Sequence, residues 1–137
     1  MTKSKAKGTK AETEVVKYLR QWWPAAERRA LSGAKDKGDV AGIPGVVVEV
    51  KAAQRQLIGP WQRETFAEKK HALASACLLV VKRPRKPVAQ WDAYMPADQI
   101  NAALRWAGDA QELFNEGALW VRMDLFGAAV LLKAQGY

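Results

Sequence analysis

Two hydrophobic rhythms run along the chain. In "TKAETEVVKYLRQWW", residues 9–23, apolar positions recur at helical spacing until Pro24 closes the stretch. An amphipathic helix is expected there. Thr9 and Glu12 have the Ser/Thr-x-x-Glu spacing of a capping box, which predicts a start at Thr9 and leaves residues 1–8 as a basic flexible arm. "ERRAL" reads as a short strand and "SGAKDKG" as a polar, glycine-containing loop. "DVAG" and "GVVVEVKAA" read as two strands joined by the tight turn "GIPG", the second stronger for its valines. "PWQRETFAEKKHALASA" predicts a second helix with Pro60 in its first turn. "CLLVVKR" is a nearly all-apolar strand, as expected where both faces of a sheet are covered. "QWDAYM" reads as an edge strand and "PADQINAALRWAG" as a third helix running from Pro96 to Gly108. "ALWVRMDLFGAAVLLKAQGY" fits either a hairpin or a helix, and strands are preferred.

The order α-β-β-β-α-β followed by further elements predicts an α/β fold with a mixed central sheet flanked by helices. A single domain is expected over residues 9–137, with a core to about residue 95 and a C-terminal extension from residue 96. Neither an internal repeat nor a low-complexity linker interrupts it.

Composition adds a partner class. With 22 Lys+Arg against 14 Asp+Glu, the 137-residue chain carries +8, and its pI of about 9.8 raises nucleic acid as a partner. Cys77 has no second cysteine to pair with and sits in the apolar run "LASACLLVV", so a buried thiol in a reducing compartment is expected. No run is long enough to span a bilayer, and no apolar segment follows the basic N-terminus as a secretory signal would require. The expectation is a cytoplasmic protein, in a host cytoplasm if the source is viral.

Chemistry concentrates in "GDVAGIPGVVVEVKAA", residues 38–53. Side chains alternate along a strand, so Val46, Val48 and Val50 share one face and Val47, Glu49 and Lys51 the other, the last two roughly 7 Å apart. On a solvated strand such a pair is an ordinary surface ladder. Asp39 changes that reading, because a hairpin turning at "GIPG" brings Asp39 and Glu49 to the same end. Two carboxylates are hard oxygen ligands suited to Mg²⁺, and a lysine beside them can hold or deprotonate a water, or stabilise charge on a phosphate. On the first helix, at about 100° per residue, Glu12 lies in line with Val16, Leu19 and Trp23. That places an acid at the end of a buried stripe, facing the sheet.

"KGTKAETEVVKYL", "DVAG" and "VVVEVKAA" together resemble the archaeal-type Holliday junction resolvases of the PD-(D/E)XK nuclease superfamily, and short phage-encoded resolvase-like nucleases. Lys7-Gly8 and Ala11-Glu12 match the opening helix motif, and Asp39, Glu49 and Lys51 match the acid, acid and lysine positions. The resemblance covers roughly residues 7–83. It implies a restriction-endonuclease-like core and a Mg²⁺-dependent phosphodiesterase, with Mn²⁺ as a substitute, that cuts branched DNA as a homodimer. Glu12, Asp39 and Glu49 would surround the metal, with Lys51 beside them. Gly38 stands where the superfamily's name places proline, and the family's loop serine corresponds best to Ser32, seven residues before Asp39.

Further DNA contacts are assigned to Lys7 and Lys10 at the basic N-terminus, to Lys35 and Lys37 in the loop before Asp39, and to Gln62, Arg63, Lys69 and Lys70 on the second helix. "KRPRKP", with Arg83, Arg85 and Lys86, adds to this basic cluster. Trp61 is a candidate stacking platform, whereas His71, without Cys or His partners, is read as a surface residue. No nucleotide-cradling glycine loop is present, so no nucleotide cofactor is expected. Two alternatives stay open: the same chemistry on nicked, flapped or restriction-type substrates, and a non-catalytic DNA-binding module on the same scaffold.

Overall fold

A computed structural model describes residues 2–29, 37–101 and 119–137. Its central sheet runs in the order β3-β4-β5-β6, built from β3 (Val46–Lys51), β4 (Ala76–Val81), β5 (Asp92–Pro96) and β6 (Trp120–Asp124). β3 and β4 are parallel, joined through helix α2 (Ile58–His71), whereas β5 and β6 are added antiparallel. A separate two-stranded ribbon pairs β1 (Glu27–Arg28) with β2 (Val40–Ala41). This is the α/β architecture with a mixed, helix-flanked sheet that the hydrophobic pattern predicts. Among the described residues, no helix is long and apolar enough to cross a membrane.

The two faces of the sheet are covered by different helices. Val46, Val48 and Val50 join Leu78, Val80, Ala93 and Met95 in the main core, closed by α1 (Lys3–Leu19) through Ala11, Val15, Val16 and Leu19. The same core takes in α4 (Leu125–Ala134) through Leu125, Ala128, Ala129 and Leu132. On the opposite face Leu79 and Val81 pack against Trp61 of α2. β4 is buried at every position, as a strand covered on both sides must be.

Four expectations need correction. The first helix starts at Lys3, where the Thr2 side chain caps it by accepting from the Lys5 N–H, so residues 3–8 are helix rather than a flexible arm. Thr9 therefore lies inside the helix, and the capping-box reading of Thr9 and Glu12 falls with it. "QWDAYM" supplies an interior strand, because β6 pairs along its outer side from Asp92↔Asp124 to Pro96↔Trp120. The last segment is one strand followed by a helix: Asp124 accepts from the Gly127 N–H at 2.7 Å, capping a run whose buried residues fall at helical spacing. Of the third helix, α3 (Ala97–Ile100) is described, and the rest of that expectation lies outside the described residues.

The turn before β3 tolerates little change. Gly42 has φ +88°, and a Cβ there would stand 2.1 Å from the Ala25 carbonyl oxygen, a backbone atom that cannot step aside. Gly42→Ala is expected to destabilise the fold by about 3 kcal/mol or more, through steric overlap and left-handed strain together. Urea denaturation monitored by circular dichroism checks this, and a wild-type midpoint would contradict it.

Candidate active site

Asp39 is fastened across Glu49 from both sides. Its N–H donates to the Val48 carbonyl at 2.8 Å, and its Oδ2 accepts from the Val50 N–H at 2.8 Å. The Arg29 N–H donates to the Asp39 carbonyl at 2.8 Å. Main-chain bonds to the residues before and after Glu49 thus fix the second acid beside the first. Gly38 makes the approach possible: it is buried with φ +92°, and a Cβ would meet Val47 Cγ1 and the Val48 oxygen at 2.9 Å. Proline, locked near φ about −65°, cannot occupy that conformation. Glycine at this position is therefore required by the backbone here.

Glu49 is 4% exposed. One carboxylate oxygen, Oε1, is 3.2 Å from Lys51 Nζ, and Oε2 has no hydrogen-bond partner among the described residues. Lys51 Nζ is also 3.2 Å from Glu64 Oε1. Burial, then Asp39 and then Glu68 push the Glu49 carboxyl far above the ordinary carboxylate range, and Lys51 offsets only part of this. Burial likewise raises Asp39, to about 6, against the Val50 hydrogen bond and with added repulsion from Glu12. For Lys51, burial acts to lower the pKa, but Glu49 and Glu64 outweigh it and hold the ammonium above its usual value.

The structure brings Asp39, Glu49 and Lys51 together and leaves Glu12 at their margin. α1 packs on the valine face of β3, opposite the face that carries Glu49 and Lys51. Glu12 is close enough to Asp39 to raise its pKa, but its Oε2 is held by Arg28 Nε at 3.0 Å and Nη2 at 2.9 Å. Two acids that sequence reasoning overlooked complete the site from α2. Carboxylate oxygens of Glu49, Glu64 and Glu68 all lie within 4.8 Å of one another. The signal was present in the helical period: Glu68 continues the buried stripe of Trp61 and Thr65, one turn beyond Glu64.

The donor set is wholly carboxylate oxygen, and one buried oxygen lacks a donor, which fits a hard divalent cation such as Mg²⁺ or Mn²⁺ rather than zinc. Lys7, Lys10, Lys37, Arg63 and Lys70 are exposed, and Gln62 and Lys69 are half-buried on α2. Lys69 and Lys70 both stand over the Phe66 ring, at 5.7 and 4.8 Å. Arg83, Arg85 and Lys86 are exposed after β4. Ser32 and Lys35 lie outside the described residues. Trp61 is corrected: it is buried against Leu79 and Val81, so no face is open for a base to stack. His71 is exposed and Cys77 is buried, both as expected. Comparison with protein-family models, curated proteins and solved structures returned no match.

Proposed function

We propose that the chain is a metal-dependent endodeoxyribonuclease with a restriction-endonuclease-like core, acting on branched DNA in the manner of a Holliday junction resolvase. The observation that carries this reading is the pinning of Asp39 across Glu49 with the Lys51 ammonium 3.2 Å away. A purely structural Glu-Lys pair has no use for a second, partly buried carboxylate that the backbone holds against it at a cost in repulsion.

Asp39 and Glu49 would hold the cation, with Glu12 alongside once Arg28 releases it. A bound divalent cation supplies positive charge to a phosphate and acidifies a water. Lys51 stays protonated at neutral pH, because its neighbours raise its pKa. It therefore serves as a fixed positive charge that orients a water and stabilises the phosphate as negative charge builds, rather than as a general base. Exposed Lys37, Arg63 and Lys70 would track the phosphate backbone with salt-sensitive, sequence-independent affinity. Paired incision of a four-way junction needs two such sites, so the proposal includes a symmetric dimer.

Incision of labelled four-way junction, flap, nicked duplex and linear duplex, with Mg²⁺ or with EDTA, tests the reading. Symmetric cuts confined to the junction and abolished by EDTA are expected. Metal-dependent cuts on flap or linear DNA would keep the chemistry and replace the substrate. Tight junction binding with no incision by Mg²⁺ or Mn²⁺ would overturn the enzyme reading.

A further inference from the structure

A single cation held by Asp39 and Glu49 leaves Glu64 and Glu68 unused as ligands, yet α2 delivers both against Glu49. We infer that Glu49, Glu64 and Glu68 form a second divalent-cation site on the α2 side of β3, taking Mg²⁺ or Mn²⁺. The inference rests on the reading of Asp39 and Glu49 as ligands of a first cation, with Glu49 shared between the two.

The three side chains offer oxygens within 4.8 Å of one another. Opposite ligands of an octahedral Mg²⁺ lie about 4.2 Å apart, so one ion spans this set with only small side-chain adjustments. An acidic cluster is common on protein surfaces, but this one has a buried member that is incompletely satisfied. The Glu49 side chain is 5% exposed, and its Oε2 has no hydrogen-bond partner among the described residues. Such an oxygen costs free energy unless a cation or donor meets it.

Charge points the same way. Glu12 is matched by Arg28, whereas the single Lys51 ammonium is shared between Glu49 and Glu64. Its Nζ lies between Glu49 Oε1 and Glu64 Oε1, 3.2 Å from each, where a cation shared by those acids would sit. The scaffold suits the task as well. Glu64 and Glu68 are one helical turn apart on the same helix, so their separation is fixed before any ion arrives. Glu68 is 2% exposed at the floor, and the Glu64 side chain, 43% exposed, leaves the rim open for entry.

Counting Mn²⁺ ions per protomer by calorimetry and electron paramagnetic resonance tests this without reference to activity. Two ions are expected for the wild type, one for Glu68→Gln, one for Asp39→Asn and none for the double variant. Because Glu68 is buried, Glu64→Gln at the rim provides an independent probe, with the weaker-binding ion losing about tenfold in affinity or more. One ion in the wild type, kept in Glu68→Gln and lost in Asp39→Asn, would overturn this inference while the nuclease site stands. Two ions unaffected by Glu64→Gln and Glu68→Gln would overturn it equally. One ion lost in Glu68→Gln but kept in Asp39→Asn would support the α2 site and overturn the Asp39 site instead. No ion in any form would overturn both.

Discussion

Replacing Glu49 by glutamine is expected to lower metal-dependent incision by at least about 10³-fold, while the metal-free protein becomes more stable. The two effects share one cause. Glu49 is buried among Asp39, Glu64 and Glu68, with one oxygen shared with Lys51 and the other without a donor. A charge in that position costs free energy in folding and gives it back only when a cation binds. Glutamine keeps the shape, offers an amide N–H₂ to the neighbouring carboxylates and removes the cost of neutralising an ionised carboxylate on folding. It also removes a ligand oxygen shared by both proposed cations. Single-turnover incision of a labelled junction, paired with urea denaturation in EDTA at pH 7.5, measures both. Retained incision would remove Glu49 from the chemistry, and a lower midpoint would show that its charge is compensated in the metal-free fold.

The second large effect concerns pH. The Asp39 carboxyl titrates near 3.8 in the unfolded chain and is raised to about 6 in the fold, first by burial. Below the lower value both states are protonated and the group costs nothing. As pH climbs through the interval, the unfolded chain releases its proton first and gains free energy, so the folded state loses stability until about pH 6. The loss amounts to roughly 2–3 kcal/mol. Glu49, raised for the same reasons, continues the decline in the same direction at higher pH. Urea midpoints in EDTA should therefore fall as pH rises from 4 to 6, opposite to the usual gain when paired carboxylates ionise. Asp39→Asn should flatten the slope in that interval, and saturating Mg²⁺ should oppose it by binding the ionised form. A slope unchanged by Asp39→Asn would show that Asp39 is not the group responsible.

Much of the architecture was legible because it rests on local periodicity. Valines at residues 46–48 and 50, the unbroken run at residues 76–81 and the amphipathic second helix each announce their type within a few residues. The juxtaposition of Asp39 and Glu49 was legible for a similar reason: the nine residues between them, turning at "GIPG", leave few ways to place the two ends, although β2 pairs with β1 rather than with β3 as the hairpin reading expected. Misreadings arose where two local signals competed or where the partner lay far off. Thr9 carried a convincing capping pattern, but Thr2 offered an earlier cap, and six more residues of helix outweighed it. Leu125, Ala128, Ala129 and Leu132 carried a helical signature, which the strand-like residues just before them obscured.

What the amino-acid sequence determined by itself is the kind of each principal element and the D-x(9)-E-x-K spacing that brings two acids and a lysine together around one tight turn. Tertiary structure alone decided which helix faces which side of β3. By placing α1 on the valine face it left Glu12 at the margin, paired with Arg28. By placing α2 on the other face it set Glu64 and Glu68 against Glu49. It also decided that β5 would be an interior strand, since β6 arrives from residues 120–124 to cover it. Periodicity records which side of an element is buried, but it carries no record of the surface that buries it. That choice is made by packing among segments distant in the chain, and the second set of acids depends on it.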